Sequence, residues 1–128
     1  MTQPLAFPSG IELTSAGKLE TTVELDPGSP WFSGHFPAAP IFPGVAMLDL
    51  VGRTLINHGG AEGRNVEIIG FRRIRFKNVA FPGQVLKISV KAPRGPGPAN
   101  LTFEITRDRE IVCQGLILAR EAPADILE

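Results

Sequence analysis

Three residues that together suit acid–base chemistry on a carbonyl compound occur close together in the sequence. They are His35, Gly44 and Asp49, in the stretch GHFPAAPIFPGVAMLDL at residues 34–50. A histidine titrates near neutrality and can exchange a proton at ordinary pH, although an ordinary loop histidine is the simpler interpretation of His35 alone. The prolines of the stretch exclude regular helix or central strand before residue 44, because each removes a backbone donor. The sequence therefore predicts an ordered, irregular loop that holds His35.

Asp49 is an acid within a segment that otherwise has the pattern of a buried helix. The segment GVAMLDLVGRTLIN, residues 44–57, is apolar on nearly all helical faces between Val45 and Val51. An unpaired carboxylate is costly to bury and is then favoured in its protonated form, which suits a general acid. The alternative is that Asp49 lies on a narrow exposed face or pairs with Arg53, four residues later. The helix pattern alone leaves both interpretations open.

Gly44 has the position of a hydrogen-bond donor for a developing negative charge. Pro43 suits the first position of a helix, where its missing N–H costs nothing. The Gly44 N–H, at the second position, then has no partner within the helix, and it lies at the positive helix end, where it can stabilise an oxyanion. Plain helix-start geometry is the simpler interpretation. The combination of base, oxyanion donor and acid is more specific than any one of them.

Other chemistries find less support in the sequence. There is no G-x-S-x-G elbow for a serine nucleophile and no phosphate-binding glycine loop. Cys113 lies among apolar strand residues, where a thiol is usually inert, and no set of ligands predicts a metal site. His58 falls at the end of the predicted helix, where it interacts favourably with the helix dipole, and we assign it no chemistry.

The elements around these residues predict a single α+β domain over residues 1–128. Alternating apolar residues predict strands before and after the one helix, and NHGG at residues 57–60 should end that helix with Gly59 or Gly60 as a left-handed cap. The simplest packing is a curled antiparallel sheet wrapped around the helix, which would bury the helix on most sides. The predicted strands lie in residues 11–15, 18–26, 64–79, 84–92, 99–108 and 109–121.

The composition limits the class of protein and of partner. The 128 residues carry 13 basic and 13 acidic side chains, a balance that gives no support to nucleic acid or an anionic membrane as partner. With one cysteine there can be no intramolecular disulfide. The N-terminal residues lack the pattern of a signal peptide, and no apolar run is long enough to span a bilayer. We therefore expect a soluble cytoplasmic protein.

Two stretches of the sequence resemble a known family. GHFPAAPIFPGVAMLDL resembles the signature G-H-F-P-G-x-P-V/I-x-P-G-x-L-x-x-E/D of the 3-hydroxyacyl-(acyl carrier protein) dehydratases of bacterial fatty acid synthesis. FRRIRFKNVAFPGQVLKISV, residues 71–90, resembles the second signature of that family, and the resemblance covers about residues 10–120. The family has glutamate as its acid in one branch and aspartate in another, which also isomerises its product. Asp49 resembles the second branch and also the related dehydratases of aryl polyene pathways. The resemblance implies the hotdog fold, a sheet wrapped around one long helix.

The resemblance also implies roles for individual residues. His35 would be the catalytic base, Asp49 the acid and the Gly44 amide the donor to the thioester carbonyl, while the carbonyl of Ile41 would orient the histidine. The reaction would convert 3-hydroxyacyl thioesters to trans-2-enoyl thioesters in fatty acid, polyene or polyketide synthesis, with no metal or redox cofactor. The substrate would be carried on the phosphopantetheine of acyl carrier protein. The family implies a homodimer or higher homo-oligomer with the active site at the subunit interface, where histidine and acid come from opposite subunits.

Some positions depart from the family pattern, and two rival functions stay open. Ala38, Ala46, Arg53 and Gln84 replace more usual residues, which leaves the acyl-chain preference undecided. The rivals are a thioesterase on the same fold and a catalytically silent partner subunit.

A basic stretch of the second signature has two interpretations. In FRRIRFK, strand alternation would place Ile74 and Phe76 on one face and the cations Arg73, Arg75 and Lys77 on the other. That ridge either docks an acidic carrier protein or is a solvated face that protects a sheet edge.

Overall fold

The chain folds as one helix packed on one antiparallel sheet, within the residues that the structure describes. The structure is a computed structural model, and it describes residues 9–32 and 41–122. The expected order of strand, strand, helix and four strands is confirmed. The elements are β1 (Ser9–Leu13), β2 (Lys18–Glu24), a 3₁₀ turn (Pro30–Phe32), α1 (Gly44–Ala61), β3 (Val66–Phe76), β4 (Val85–Lys91), β5 (Ala99–Arg107) and β6 (Glu110–Glu121).

The sheet has the strand order β1-β2-β4-β5-β6-β3, with every neighbouring pair antiparallel. The alternating residues predicted to share one face do so, and they are buried under the helix in β2, β4 and β5: Leu19, Thr21, Val23, Leu86, Ile88, Val90, Leu101, Phe103 and Ile105. Strand β6, with apolar residues on both faces, lies in the interior of the sheet between β5 and β3. The sheet curls around α1, which contacts β1, β2, β3, β4 and β6, and this is the hotdog arrangement.

The helix is buried on one side only, so the expectation that the sheet would bury it on most sides is wrong for the single chain. Residues of the inner face, among them Met47, Leu50 and Val51, are at most 2% exposed. The opposite face is open, with Val45 64% and Ile56 42% exposed. The local sequence does not show which face of the helix is buried, because both faces are apolar and differ only in whether the sheet covers them.

The helix ends later than predicted, for a reason that lies in the backbone. It continues through Gly59 and Gly60 to Ala61, and the left-handed residue is Gly63, with φ 75°. The Arg64 N–H donates to the Gly59 carbonyl at 2.7 Å and the Gly63 N–H to the Gly60 carbonyl at 3.1 Å, the two bonds of a Schellman motif. Gly63 was therefore the correct cap among the glycines of this region.

Strand β3 is irregular in two places. Its pairing with β6 shifts register between Ile68 and Gly70, and again between Arg72 and Arg75. At the second shift Arg73 has φ 56°, a left-handed conformation that is uncommon for a side chain of this kind. Each shift adds one residue to β3 relative to β6, as in a β-bulge, so the strict alternation predicted for this strand is wrong.

None of the helices in the described residues is long and apolar enough to cross a membrane.

Gly59 and Gly60 give a matched test of how closely the helix approaches β3. A Cβ at Gly59 would lie 2.4 Å from Cγ2 of Val66, whereas a Cβ at Gly60 would meet no atom within 4 Å. We expect Gly59→Ala to lower the free energy of unfolding by about 2 kcal/mol through overpacking. Gly60→Ala should leave it unchanged or raise it by up to about 1 kcal/mol through helix propensity. Urea unfolding measures both, and equal effects would contradict the close contact.

Candidate active site

The helix start supplies a backbone donor beside the open side of the molecule. Pro43 is the N-cap, with φ −66° and ψ 149°, and Gly44 is the first helical residue, one position earlier in the helix than predicted. The Pro43 carbonyl accepts from the N–H groups of Ala46 at 3.1 Å and Met47 at 3.2 Å. No described residue accepts a hydrogen bond from the Gly44 N–H. This amide is thus available to a ligand oxygen, as far as the described residues are concerned.

The ring of Phe76, at the end of β3, lies directly against Gly44. A Cβ on Gly44 would lie 2.7 Å from Cζ of the Phe76 ring, a separation that real side chains do not adopt. The ring is 52% exposed and therefore forms part of the surface next to the helix start. Sequence analysis did not find this contact, because a phenylalanine at a strand end gives no local sign of what it will touch.

Asp49 lies in an open groove between α1 and β3. The groove has a volume of about 550 Å³, and β3 contributes Ile68 and Phe71 to it. From the helix come Val45, Leu48, Asp49, Gly52, Arg53, Ile56 and Asn57. Residues 45, 48, 49, 52 and 56 recur at helical spacing and so share one face of α1. The sheet leaves this face partly uncovered, while Gly52 lies buried at its centre, beneath Ile68. The predicted acid is therefore accessible from a largely apolar groove.

The Asp49 carboxylate forms an ion pair with Arg53. Arg53 Nε donates to Asp49 Oδ2 at 2.8 Å, and each side chain is 37% exposed. Burial of an unpaired acid within the chain, one of the two interpretations of the sequence, is therefore wrong, and the pairing four residues apart is confirmed. The guanidinium therefore holds the Asp49 carboxylate in one orientation at the edge of the groove.

The histidine lies outside the described residues, which omit 33–40, so the predicted approach of His35 to the site is not tested by the geometry. Ile41 is described and is partly buried. The next residue fixes the chain at this point, since the Phe42 N–H donates to the Ala80 carbonyl at 2.7 Å. The chain that follows the predicted histidine loop is thus anchored to the segment between β3 and β4 just before the helix begins.

The basic residues of β3 are arranged differently from the prediction. Arg72 and Arg75 pair with Leu116 and Gln114, which are two residues apart on β6 and so share a face. The bulge between them places Arg72 on the same face as Arg75, and Arg73 lines a depression there together with Arg75. Lys77 is exposed just beyond the strand. Arg72 is absent from the predicted basic face, because the bulge that changes its direction contains no glycine and so gives no sign in the sequence.

The remaining candidates for chemistry are structural. Cys113 is fully buried in the core, as predicted, and burial raises the pKa of its thiol to about 11. His58 lies in the last turn of α1, 3.6 Å from Glu62, as a terminal-dipole residue would. Among the described residues no group of histidine, cysteine, aspartate or glutamate side chains could hold a metal ion.

Comparison with known proteins identifies the family. The sequence profile of the ApeI-like family, described as ApeI dehydratase, matches residues 12–116. The chain belongs to this dehydratase family. The 3-hydroxyacyl-(acyl-carrier-protein) dehydratase FabZ of Syntrophomonas wolfei is 32% identical over 117 residues, an alignment that covers 84% of this chain and 78% of that protein. The expected relation to the 3-hydroxyacyl thioester dehydratases is thus confirmed.

Solved structures agree with this assignment and with the fold. The dehydratase heterocomplex ApeI:P from Xenorhabdus doucetiae contains a chain with a TM-score of 0.70 and 25% identity, matched over 93% of this chain and 99% of that one. A putative thioesterase from Ralstonia eutropha has a TM-score of 0.65 at 17% identity, over 90% of this chain and 83% of that one. The second likeness concerns the fold alone.

Proposed function

We propose that this protein dehydrates 3-hydroxyacyl thioesters carried on acyl carrier protein to trans-2-enoyl thioesters. The thioester carbonyl accepts a hydrogen bond from the Gly44 N–H, which stabilises the negative charge that develops on oxygen. His35, oriented by the Ile41 carbonyl, removes the proton from C2, and the electron pair forms the C2–C3 double bond. The C3–O bond breaks as Asp49 donates a proton to the leaving oxygen, and water departs.

The observation that carries this proposal is the placement of Gly44 and Asp49 on the uncovered side of one helix. The Gly44 N–H has no acceptor among the described residues, and Asp49 lines the groove that begins at Val45, the residue after Gly44. An enolate-like intermediate needs a donor at its oxygen and an acid near C3, and an apolar groove beside the acid suits the acyl chain. Membership of the dehydratase family supports this choice over other uses of the same groups.

The ion pair with Arg53 shapes how Asp49 acts. In the open groove the pair is partly exposed, and Asp49 Oδ2 accepts a hydrogen bond from Arg53 Nε. Covering the groove with a partner subunit and an acyl chain would exclude water from both side chains. In the proposed reaction Asp49 therefore acts in a closed site, with its carboxyl group oriented by Arg53.

The uncovered face also supports the proposed homodimer. β3 forms one edge of the sheet and runs for 11 residues, while β1 at the other edge has 5. Next to the β3 edge, the exposed side chains of Val45, Ile56 and Ile69 would be covered by a second copy. Exposed apolar side chains beside an unpaired strand favour association. Antiparallel pairing of two β3 strands about a two-fold axis would cover these side chains and pair the backbone groups of the edge.

The exposed cations of β3 support docking of the carrier protein on this strand. Strand β3 runs antiparallel to α1, so Arg75 and Lys77 lie at the same end of the molecule as Gly44, where Phe76 contacts the helix start. Arg72, Arg73, Arg75 and Lys77 are all exposed, and none is ion-paired with a described residue. Uncompensated cations beside the thioester site would attract an acidic carrier and orient it.

Hydrolysis of the thioester is the second candidate function. A carboxylate can activate water for attack on a thioester, and Asp49 is partly exposed in a groove that is open to solvent. This observation supports a thioesterase on the same fold. The two functions differ in product, since hydrolysis releases a free thiol and dehydration leaves the thioester intact.

Substitution of the two proposed acid–base groups tests the reaction. We expect His35→Ala and Asp49→Asn each to lower the rate of enoyl formation from 3-hydroxyacyl carrier protein about 100-fold or more, because each removes a proton-transfer group. Absorbance of the enoyl thioester and a thiol reagent measure the two products. The matched controls make the same changes elsewhere, at His58→Ala and Asp108→Asn, and should stay active. Asp108 is an exposed turn residue with φ 49°. Free thiol without enoyl product would establish hydrolysis instead, and neither product would favour the silent partner.

Charge substitutions at the two sheet edges test the dimer. Ile69 on β3 is 48% exposed and Leu13 on β1 is 58% exposed. We expect Ile69→Lys to convert the dimer to a monomer and to abolish dehydration, because it buries a charge at the proposed interface. Leu13→Lys should leave the dimer intact. Sedimentation measures the oligomeric state of both variants. A dimer that survives Ile69→Lys but not Leu13→Lys would place the interface at the β1 edge and contradict the proposal.

Charge reversal on β3 tests the carrier-docking surface. We expect Arg75→Glu to raise the KM for a carrier-linked substrate several-fold, and more at low ionic strength, because exposed charges steer encounter. The KM for the same acyl group on coenzyme A, which lacks the acidic carrier, should not change. Arg94→Glu is the control, because Arg94 is exposed near the opposite end of the molecule. An equal rise for both thioesters would mean that Arg75 acts on the acyl site and not on the carrier.

A further inference from the structure

Gly52 is a glycine that the fold itself does not require. It lies in the middle of α1, where glycine costs about 0.5–1 kcal/mol relative to alanine. Its φ is not in the left-handed region. A Cβ at this position would lie 3.6 Å from Cγ1 of Ile68, which is ordinary van der Waals contact. Neither backbone conformation nor crowding therefore explains why the side chain is absent.

Two of the other three glycines of α1 differ from Gly52 in this respect, and the third, Gly60, is exposed in the last turn. A Cβ at Gly44 would lie 2.7 Å from Phe76, and one at Gly59 would clash with Cγ2 of Val66, so a side chain at either position would displace a neighbour on β3. At Gly52 the same strand leaves room for a methyl group, and that room opens into the groove between α1 and β3. What glycine provides at position 52 is space on the floor of the groove.

The position of that space relative to Asp49 indicates what it accommodates. Gly52 follows Asp49 by three residues, about 4.5 Å along the helix axis. Both residues line the same groove. If the hydroxyl-bearing carbon of the substrate lies at Asp49, the next carbon of the acyl chain does not reach Gly52. A longer acyl chain extends along the groove and passes over Gly52. The walls on either side are the apolar side chains of Leu48, Ile56, Ile68 and Phe71.

We propose that Gly52 is a specificity-determining residue, which keeps the α1–β3 groove deep enough for an acyl chain that extends several carbons beyond the reacting centre. This inference rests on the proposed dehydration. A methyl group at position 52 occupies the floor of the groove next to Ile68 and shortens the usable groove, without disturbing the helix that carries Asp49. Chain length, and not the chemical step, is therefore what the residue controls.

The test combines stability with a chain-length series. We expect Gly52→Ala to raise the Tm by about 3 °C through helix propensity. It should lower kcat/KM for 3-hydroxydodecanoyl carrier protein about tenfold, as one misplaced methyl in an apolar pocket does. The value for 3-hydroxybutyryl carrier protein should stay unchanged. The control is Gly60→Ala on the same helix, which should raise the Tm but leave the chain-length profile as it is.

A second substitution and the oligomeric state distinguish the remaining outcomes. Ile68→Val trims the facing wall, so the double variant Gly52→Ala/Ile68→Val should recover part of the activity on the long chain. If Gly52→Ala leaves the long-to-short ratio unchanged in an active enzyme, the inference is wrong. If sedimentation shows that Gly52→Ala weakens subunit association instead, a second copy fills the groove and the inference is equally overturned. A wild-type protein that forms no enoyl product from either chain rejects the proposed function itself.

Discussion

The close approach of strand β3 to helix α1 is the contact on which the rest of the structure depends. The two elements run antiparallel, with Val66 next to Gly59, Ile68 next to Gly52 and Phe76 next to Gly44. Glycine at positions 44 and 59 lets the strand lie nearer than a side chain would allow, whereas Gly52 leaves space between the strand and the helix. Because the strand is near, the helix start is fixed beside Phe76, and the groove that contains Asp49 has a defined second wall.

That contact also explains why one helix can serve both the core and a site. The sheet covers the inner face of α1 and supplies the burial that stabilises the fold. Since β3 passes along one flank, the outer face stays uncovered in the single chain and keeps its apolar character. The acid Asp49 occupies the boundary between these two surroundings, where it is neither sealed in the core nor fully in water. The surroundings of a group in such a position change when a partner subunit or an acyl chain covers the groove, and the backbone need not move.

Much of the fold could be predicted from local patterns, and the exceptions have physical causes. Leu86, Ile88 and Val90 alternate with polar residues and are buried as expected. The apolar outer face of α1 has the pattern of core, because a sequence does not record whether its own sheet or another chain covers a residue. The Asp49–Arg53 pair was one of two open interpretations, since spacing allows a contact but does not require it. The bulge at Arg73 was missed because residues in left-handed conformation are usually glycine or asparagine, and the contact of Phe76 with Gly44 depends on where the strand ends.

The two bulges give β3 a property that a regular strand lacks. Val66 and Ile68 face the helix, Phe71 faces it after the first added residue, and Phe76 does so after the second. The parity of inward residues therefore changes from even to odd and back to even along one strand. If one residue between the two bulges were deleted, one bulge could close. The side chains in the rest of β3 would then keep their facing, because the register with β6 would be restored. The strand beside the site is thus tolerant of changes in length that would reverse the facing of every side chain in β4 or β5.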